Sequence, residues 1–143
     1  ILEGLTPRQL TRVLTMLYHR NYQEGETIFK EGDIGRALFI IEKGKVGLYK
    51  TDKKGHSQQV AVLGNGDFFG EMALLEEMPR SSAALALEQT SLYFLYKSSL
   101  DGFVVGRPDI GASILSALAK LLSSRLRALS SRIAVTNGKE KSD

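Results

Sequence analysis

No cysteine occurs among the 143 residues. That excludes disulfide scaffolds, cysteine-ligated zinc, iron–sulfur clusters and thiol catalysis. Histidine is nearly absent too: His19 and His56 stand far apart, both where surface residues are expected. Two lone histidines cannot make the usual zinc or iron site, so no metal site is expected and a cupin-like metal enzyme loses its ligands. No serine stands in a Gly-x-Ser-x-Gly elbow, so no hydrolase triad and no catalytic residue is assigned. No apolar run approaches the ~18 residues of a membrane span. The chain does not open with a basic segment followed by an apolar one, so no secretory signal is expected. The expected location is cytoplasmic, or the cytoplasmic face of a membrane protein. The first residue is Ile1 rather than Met, which points to a piece of something longer. Charge of one sign is also lacking: 19 basic residues against 16 acidic give a net +3. That is too mild to predict direct nucleic-acid binding.

What is present is enough for one core. At 43% hydrophobic residues, the length suits a single domain that needs no covalent staple. Thr6, Pro7 and Gln9 spell a helix start, with a threonine cap, proline at the first turn and a capping box. Leu10, Val13, Leu14 and Leu17 then form an apolar face, and the predicted helix spans 5–22. Nine of the 14 glycines lie between Gly25 and Gly70 and cut that stretch into short pieces. Strands are predicted at Thr27–Phe29, Ala37–Ile41, Lys45–Lys50, Gln58–Leu63, Ser82–Ala86 and Ser91–Tyr96. Short strands with frequent turns suggest a barrel, roll or sandwich over 23–96, and no long helical pattern between them supports a βαβ sheet.

The end of the chain reads as helical over 98–133. Ser98 is the expected cap of a short helix, and Arg107-Pro108-Asp109 breaks it and starts another. Leu115, Leu118, Leu122, Leu126, Leu129 and Ile133 follow at steps of three and four, widened by Leu121 and Ala128. The stripe is wider than one face needs, so a homodimer through this helix stands beside packing on the chain's own strands. Arg125, Arg127 and Arg132 read as a solvated face. Residues 134–143 read as a flexible tail.

The chemistry concentrates between Gly66 and Ala83. Phe68-Phe69 close a strand-like run. Gly70 then precedes Glu71-Met72-Ala73-Leu74-Leu75, which favours a helix. A helix start there presents backbone N–H groups that suit a phosphate. Pro79 turns the chain, and Arg80 offers a fork of donors matched to phosphate oxygens. Ser81 adds a hydroxyl. Glu71 would repel a phosphate and suits a sugar hydroxyl instead. The two charges can also be read as a plain Glu71–Arg80 salt bridge on a loop. Glu76 and Glu77 read as solvated loop charges, and the roles of Arg107 and Asp33 are not legible.

The segment Phe69-Gly70-Glu71-Met72-Ala73-Leu74-Leu75 with Pro79-Arg80-Ser81 resembles the phosphate-binding cassette of the cyclic nucleotide-binding domain family. The resemblance extends through Phe29-Lys30-Glu31-Gly32-Asp33, Leu38-Phe39-Ile40-Ile41 and Gly44-Lys45-Val46, and covers Leu5 to Ile133. It implies a mainly β fold: an eight-stranded antiparallel β-roll of jelly-roll type. An N-terminal helix, a short cassette helix within 69–83 and a long C-terminal helix flank it, in one domain over 1–133.

The resemblance also implies roles. Glu71 would hold a ribose 2′-hydroxyl and Arg80 the phosphate. Ser81 and the backbone around Gly70, Met72, Ala73 and Ser82 would complete the cradle. Val60, Leu63, Phe69 and Ala83 are the expected apolar walls, with Leu126 and Ser130 as a lid over the base. Ser82 departs from the small apolar residue usual at its position. Ser81 favours cyclic AMP over cyclic GMP as ligand, with no cofactor. The implied function is a regulatory sensor, not an enzyme, relaying occupancy through its C-terminal helix to an effector outside this chain. The alternatives are a nucleotide-free interaction module of the same fold, or the sensor part of a transcription factor whose DNA-binding region is absent here.

Overall fold

The computed structural model describes the backbone of residues 1–142 and the side chains of residues 1–133. The first helix, α1 (Pro7–Leu14), starts as the sequence predicts. Thr6 accepts from the Gln9 N–H at 3.2 Å, and the Gln9 side chain accepts from the Thr6 N–H at 2.9 Å. It ends eight residues sooner than expected. Residues 18–22 form a strand instead, β1 (Tyr18–Tyr22), paired antiparallel with residues Thr90–Phe94. Tyr18 and Tyr22 are good strand formers, and this pairing buries Tyr22 in the roll, which outweighs the local helical spacing. Val13 is the buried residue of α1, while Leu14 is exposed.

Seven further strands follow: β2 (Thr27–Phe29), β3 (Ala37–Lys43), β4 (Val46–Thr51), β5 (Ser57–Leu63), β6 (Phe68–Phe69), β7 (Ala83–Ala86) and β8 (Thr90–Tyr96). Six of the eight strands were legible as strands, and β1 and β6 complete the set. They form two four-stranded sheets, ordered β1-β8-β3-β6 and β2-β7-β4-β5, with antiparallel pairing throughout. This is the expected eight-stranded β-roll.

Two apolar clusters hold the roll and its helices. Tyr22, Phe39, Ile41, Val46, Phe69, Ala84, Ala86 and Leu92 fill the space between the sheets. Leu38 and Leu95 face the other way, onto Val13, Leu100, Phe103, Ile110, Ile114 and Leu118 of the helices. Strand β3 is therefore buried on both faces, which explains its unbroken run Ala37-Leu38-Phe39-Ile40-Ile41.

The chain leaves β8 into α2 (Lys97–Gly106), breaks at Arg107, and continues as α3 (Pro108–Ser142). Ser98 does not cap α2. The helix starts one residue before it, with Tyr96 at the cap position and no side-chain bond there. Nor does the helical region stop at Ile133, because α3 stays helical through Ser142. No proline follows Pro108, and Ala134, Lys139, Glu140 and Lys141 all favour helix. Asp143 lies outside the described residues. Along α3, Ile110, Ile114 and Leu118 are buried, whereas Leu126, Leu129 and Ile133 are more than half exposed.

Candidate functional site

Between β6 and β7 the chain forms a four-residue 3-10 helix (Glu71–Leu74) capped by Gly70. Gly70 has φ +73°, the left-handed region that glycine enters without cost. A Cβ there would also stand 2.5 Å from an Arg80 nitrogen. The short helix and Arg80 thus need the same glycine for two reasons. The Ala73 N–H, one of the expected cradle donors, is bonded to the Gly70 carbonyl at 3.2 Å.

Arg80 is set by the loop between β2 and β3. Its N–H donates to the Asp33 carbonyl at 2.7 Å, and its carbonyl accepts from the Gly32 N–H at 2.9 Å. Asp33 closes that loop by accepting from the Lys30 N–H at 2.9 Å, which gives this residue a structural role. The half-buried guanidinium donates to the Ala37 carbonyl at 2.8 Å and the Gly70 carbonyl at 3.3 Å. Burial pulls its pKa below the ordinary arginine value, and the nearby Asp33 charge opposes that shift. From so high a starting point it stays charged at neutral pH.

Glu71 is only 7% exposed. Among the described residues its ion pair is with Arg125 of α3, and none joins it to Arg80. The reading of Glu71 and Arg80 as a mutual salt bridge is therefore set aside. So is the reading of Arg125 as part of a solvated face.

Both charges open onto one cavity of about 530 Å³. That size suits a small-molecule ligand. Nine of the residues named from the sequence line it: Leu63, Phe69, Gly70, Glu71, Met72, Ala73, Arg80, Ser81 and Ser82. Four do not. Val60 is 51% exposed, and Ala61 takes the wall position in its place. Alternate strand residues share a face, so Leu63 must pair with Ala61 and not Val60. Ala83, the first residue of β7, does not line it either, whereas Ser81 and Ser82 of the preceding loop do. Leu126 and Ser130 are exposed and do not reach the cavity.

Arg125 reaches it instead. It follows Ile114, Leu118 and Leu121 at steps of four, three and four, and so continues the face of α3 that packs on the roll. That spacing was available in the sequence. Phe29, Leu48, Phe68, Met78 and Pro79 also line the cavity and were not expected, and Glu76 joins them at the wall. Their strands and loops meet only in the folded roll.

The profile of the family described as "Cyclic nucleotide-binding domain" matches residues 19–105. The chain belongs to this family. It is 37% identical over 127 residues to a Cyclic AMP receptor protein of Thermus thermophilus, covering 89% of this chain and 57% of that relative. It is 35% identical over 99 residues to a cAMP-dependent protein kinase regulatory subunit of Colletotrichum orbiculare, covering 69% of this chain and 25% of the relative. Among solved structures, the N-terminal domain of a transcriptional regulator from Streptomyces coelicolor A3(2) superposes with a TM-score of 0.82 at 28% identity, covering 89% of this chain and 88% of that one. The chain thus spans little more than half of the length of the first of these relatives, and a quarter of the second. By name the first relative is a receptor protein and the second a regulatory subunit.

Proposed function

We propose that the cavity binds a 3′,5′-cyclic nucleotide, cyclic AMP in preference to cyclic GMP. One observation carries the reading: a half-buried guanidinium and a buried carboxylate face the same cavity without pairing with each other. An anion satisfies the first and a hydroxyl the second, and a ribose cyclic phosphate offers both on one rigid frame. In this reading Arg80 donates to the exocyclic phosphate oxygens. Ser81 and the backbone N–H groups of Gly70, Met72 and Ser82 add donors. Glu71 accepts from the ribose 2′-hydroxyl. Ala61, Leu63 and Phe69 face the apolar part of the ligand. The names of both relatives favour cyclic AMP.

The domain acts as a sensor and not as an enzyme, in the cytoplasm. Occupancy at Glu71 is communicated to α3 through Arg125, because a hydroxyl arriving at the carboxylate competes with the guanidinium. Any shift in the helix equals the difference in ligand affinity between its two positions. The effector lies outside the 143 residues, and a transcription factor is supported by the likeness to the N-terminal domain of the Streptomyces transcriptional regulator. The exposed seam of Leu126, Leu129 and Ile133 supports self-association through α3. Sedimentation of the parent and a Leu126→Glu/Leu129→Glu variant tests that; a monomeric parent would rule it out.

Calorimetric titration tests the binding. Cyclic AMP should bind more tightly than cyclic GMP, and Arg80→Ala should weaken it by about 10–150-fold, as for loss of a charge-assisted bond worth roughly 1.5–3 kcal/mol. Undiminished affinity in Arg80→Ala would overturn the assignment of the phosphate site. Absence of binding to the parent would favour the nucleotide-free interaction module.

A further inference from the structure

The Arg80 guanidinium has aromatic neighbours as well as carbonyl partners. Its Cζ lies 4.4 Å from the centre of the Phe29 ring and 5.3 Å from that of Phe39. Both distances fall within the range of a cation–π contact. The rings belong to a larger group. Phe39 and Phe69 are stacked at 5.1 Å with an 8° angle between planes. Phe29 lies 5.5 Å from Phe39 and 5.9 Å from Phe69. Phe39 and Phe69 are buried core residues, while Phe29 is only half-buried and lines the cavity.

The backbone of Gly35 closes another side. A Cβ at that position would stand 2.8 Å from both Cζ and Nε of Arg80. Gly35 is itself tied down, its N–H donating to the Met78 carbonyl at 2.9 Å. The guanidinium therefore has its place defined by an aromatic ring, a glycine backbone and two carbonyl acceptors.

We propose that Phe29 is a positioning residue for the anion site, its ring holding the Arg80 guanidinium in binding orientation before a ligand arrives. The physical basis is that all guanidinium N–H groups lie in the plane of the group. A contact on its face consumes no donor. The two carbonyls take part of the fork, and the rest stays available for phosphate oxygens. A ring can thus fix the cation without competing with the anion, which a carboxylate partner could not do. An arginine already held in place loses less side-chain freedom on binding. This inference rests on the reading of Arg80 as the phosphate ligand.

The test replaces Phe29 with mono-, di- and trifluorinated phenylalanine. Fluorination keeps the ring's shape nearly constant and removes negative charge from its face. Cyclic AMP affinity, by calorimetry, should fall stepwise with each fluorine, by about 3–10-fold over the series. The melting temperature without ligand should fall by only about 2–6 °C over the series, because the same contact is present before the ligand arrives. Equal affinity across the series would overturn the proposal, since a ring that only fills space is indifferent to fluorine. A second measurement needs no ligand. The Arg80 Nε–H proton should be shifted upfield by the Phe29 ring current in the parent protein and return in Phe29→Leu. If the parent bound no cyclic nucleotide, the pocket reading would fall. The seat would then stand or fall on that proton signal alone, and an Nε–H unmoved by Phe29→Leu would reject it.

Discussion

The buried carboxylate of Glu71 is paired with Arg125, a residue 54 positions along the chain on α3. The pair joins the 3-10 helix beside the cavity to the long C-terminal helix. Arg125 is half exposed, so solvent screens much of the attraction, while Glu71 would be left buried and unpaired without it. Arg125→Ala should therefore cost about 1 kcal/mol, or roughly 3–6 °C in melting temperature. Amide exchange should accelerate along α3 beyond residue 121 and not in the roll. Unchanged exchange in α3 would mean that the pair does not hold the helix.

Glu71→Gln separates the ribose contact from the phosphate contact. Cyclic AMP should bind about tenfold more weakly to this variant, the scale of one hydrogen bond to a charged group. A 2′-deoxy analogue lacks the hydroxyl that Glu71 would accept from, and should lose much less. Equal losses for the two ligands, measured by calorimetry, would remove Glu71 from the ribose.

Neighbouring residues of β5 should behave oppositely. Ala61 lines the cavity and Val60 faces solvent. Ala61→Leu should obstruct the cavity and weaken cyclic AMP binding by at least about tenfold, since the added carbons occupy ligand volume. Val60→Thr should leave affinity unchanged. A reversed result would show that β5 presents its other face to the ligand.

Asp109 ties α1 to the start of α3. It accepts from the Gln9 side chain at 2.9 Å and from Arg107 at 3.1 and 3.2 Å. These bonds, Arg107 first, hold its pKa well below the usual carboxylate range. A depressed pKa in the folded state adds stability that is complete above the ordinary carboxylate value. It is lost as pH falls from there toward the depressed one. The melting temperature of the parent should exceed that of Asp109→Asn at neutral pH, and the gap should shrink below about pH 4. A gap that widens in acid would contradict this sign.

Legibility followed the range of the interaction. The start of α1 was readable because the Thr6–Gln9 box closes within four residues. The cassette is readable because Gly70, Glu71 and Arg80 lie within a short stretch of sequence, although Arg80 itself is held by residues 29–37. Strand β1 was misread, because its helical spacing is local while its pairing with β8 is not. Val60 lies on the face of β5 opposite Ala61 and Leu63, as strict alternation requires. Arg125 was misassigned although the buried face of α3 runs straight to it.

Turn positions, six of the eight strands, the helix break at Pro108 and the nearness of Glu71 and Arg80 along the chain all follow from residue type and short spacing. Backbone sterics and capping act over a few residues, so these features need no partner. The cavity is different. Phe29, Ala61, Arg80 and Arg125 meet only because two sheets close on each other and α3 packs back against the roll. Those contacts depend on strand register and helix rotation. Both are selected by the burial of side chains distant in the chain, so the aromatic ring beneath Arg80 and the arginine facing Glu71 were decided by tertiary packing.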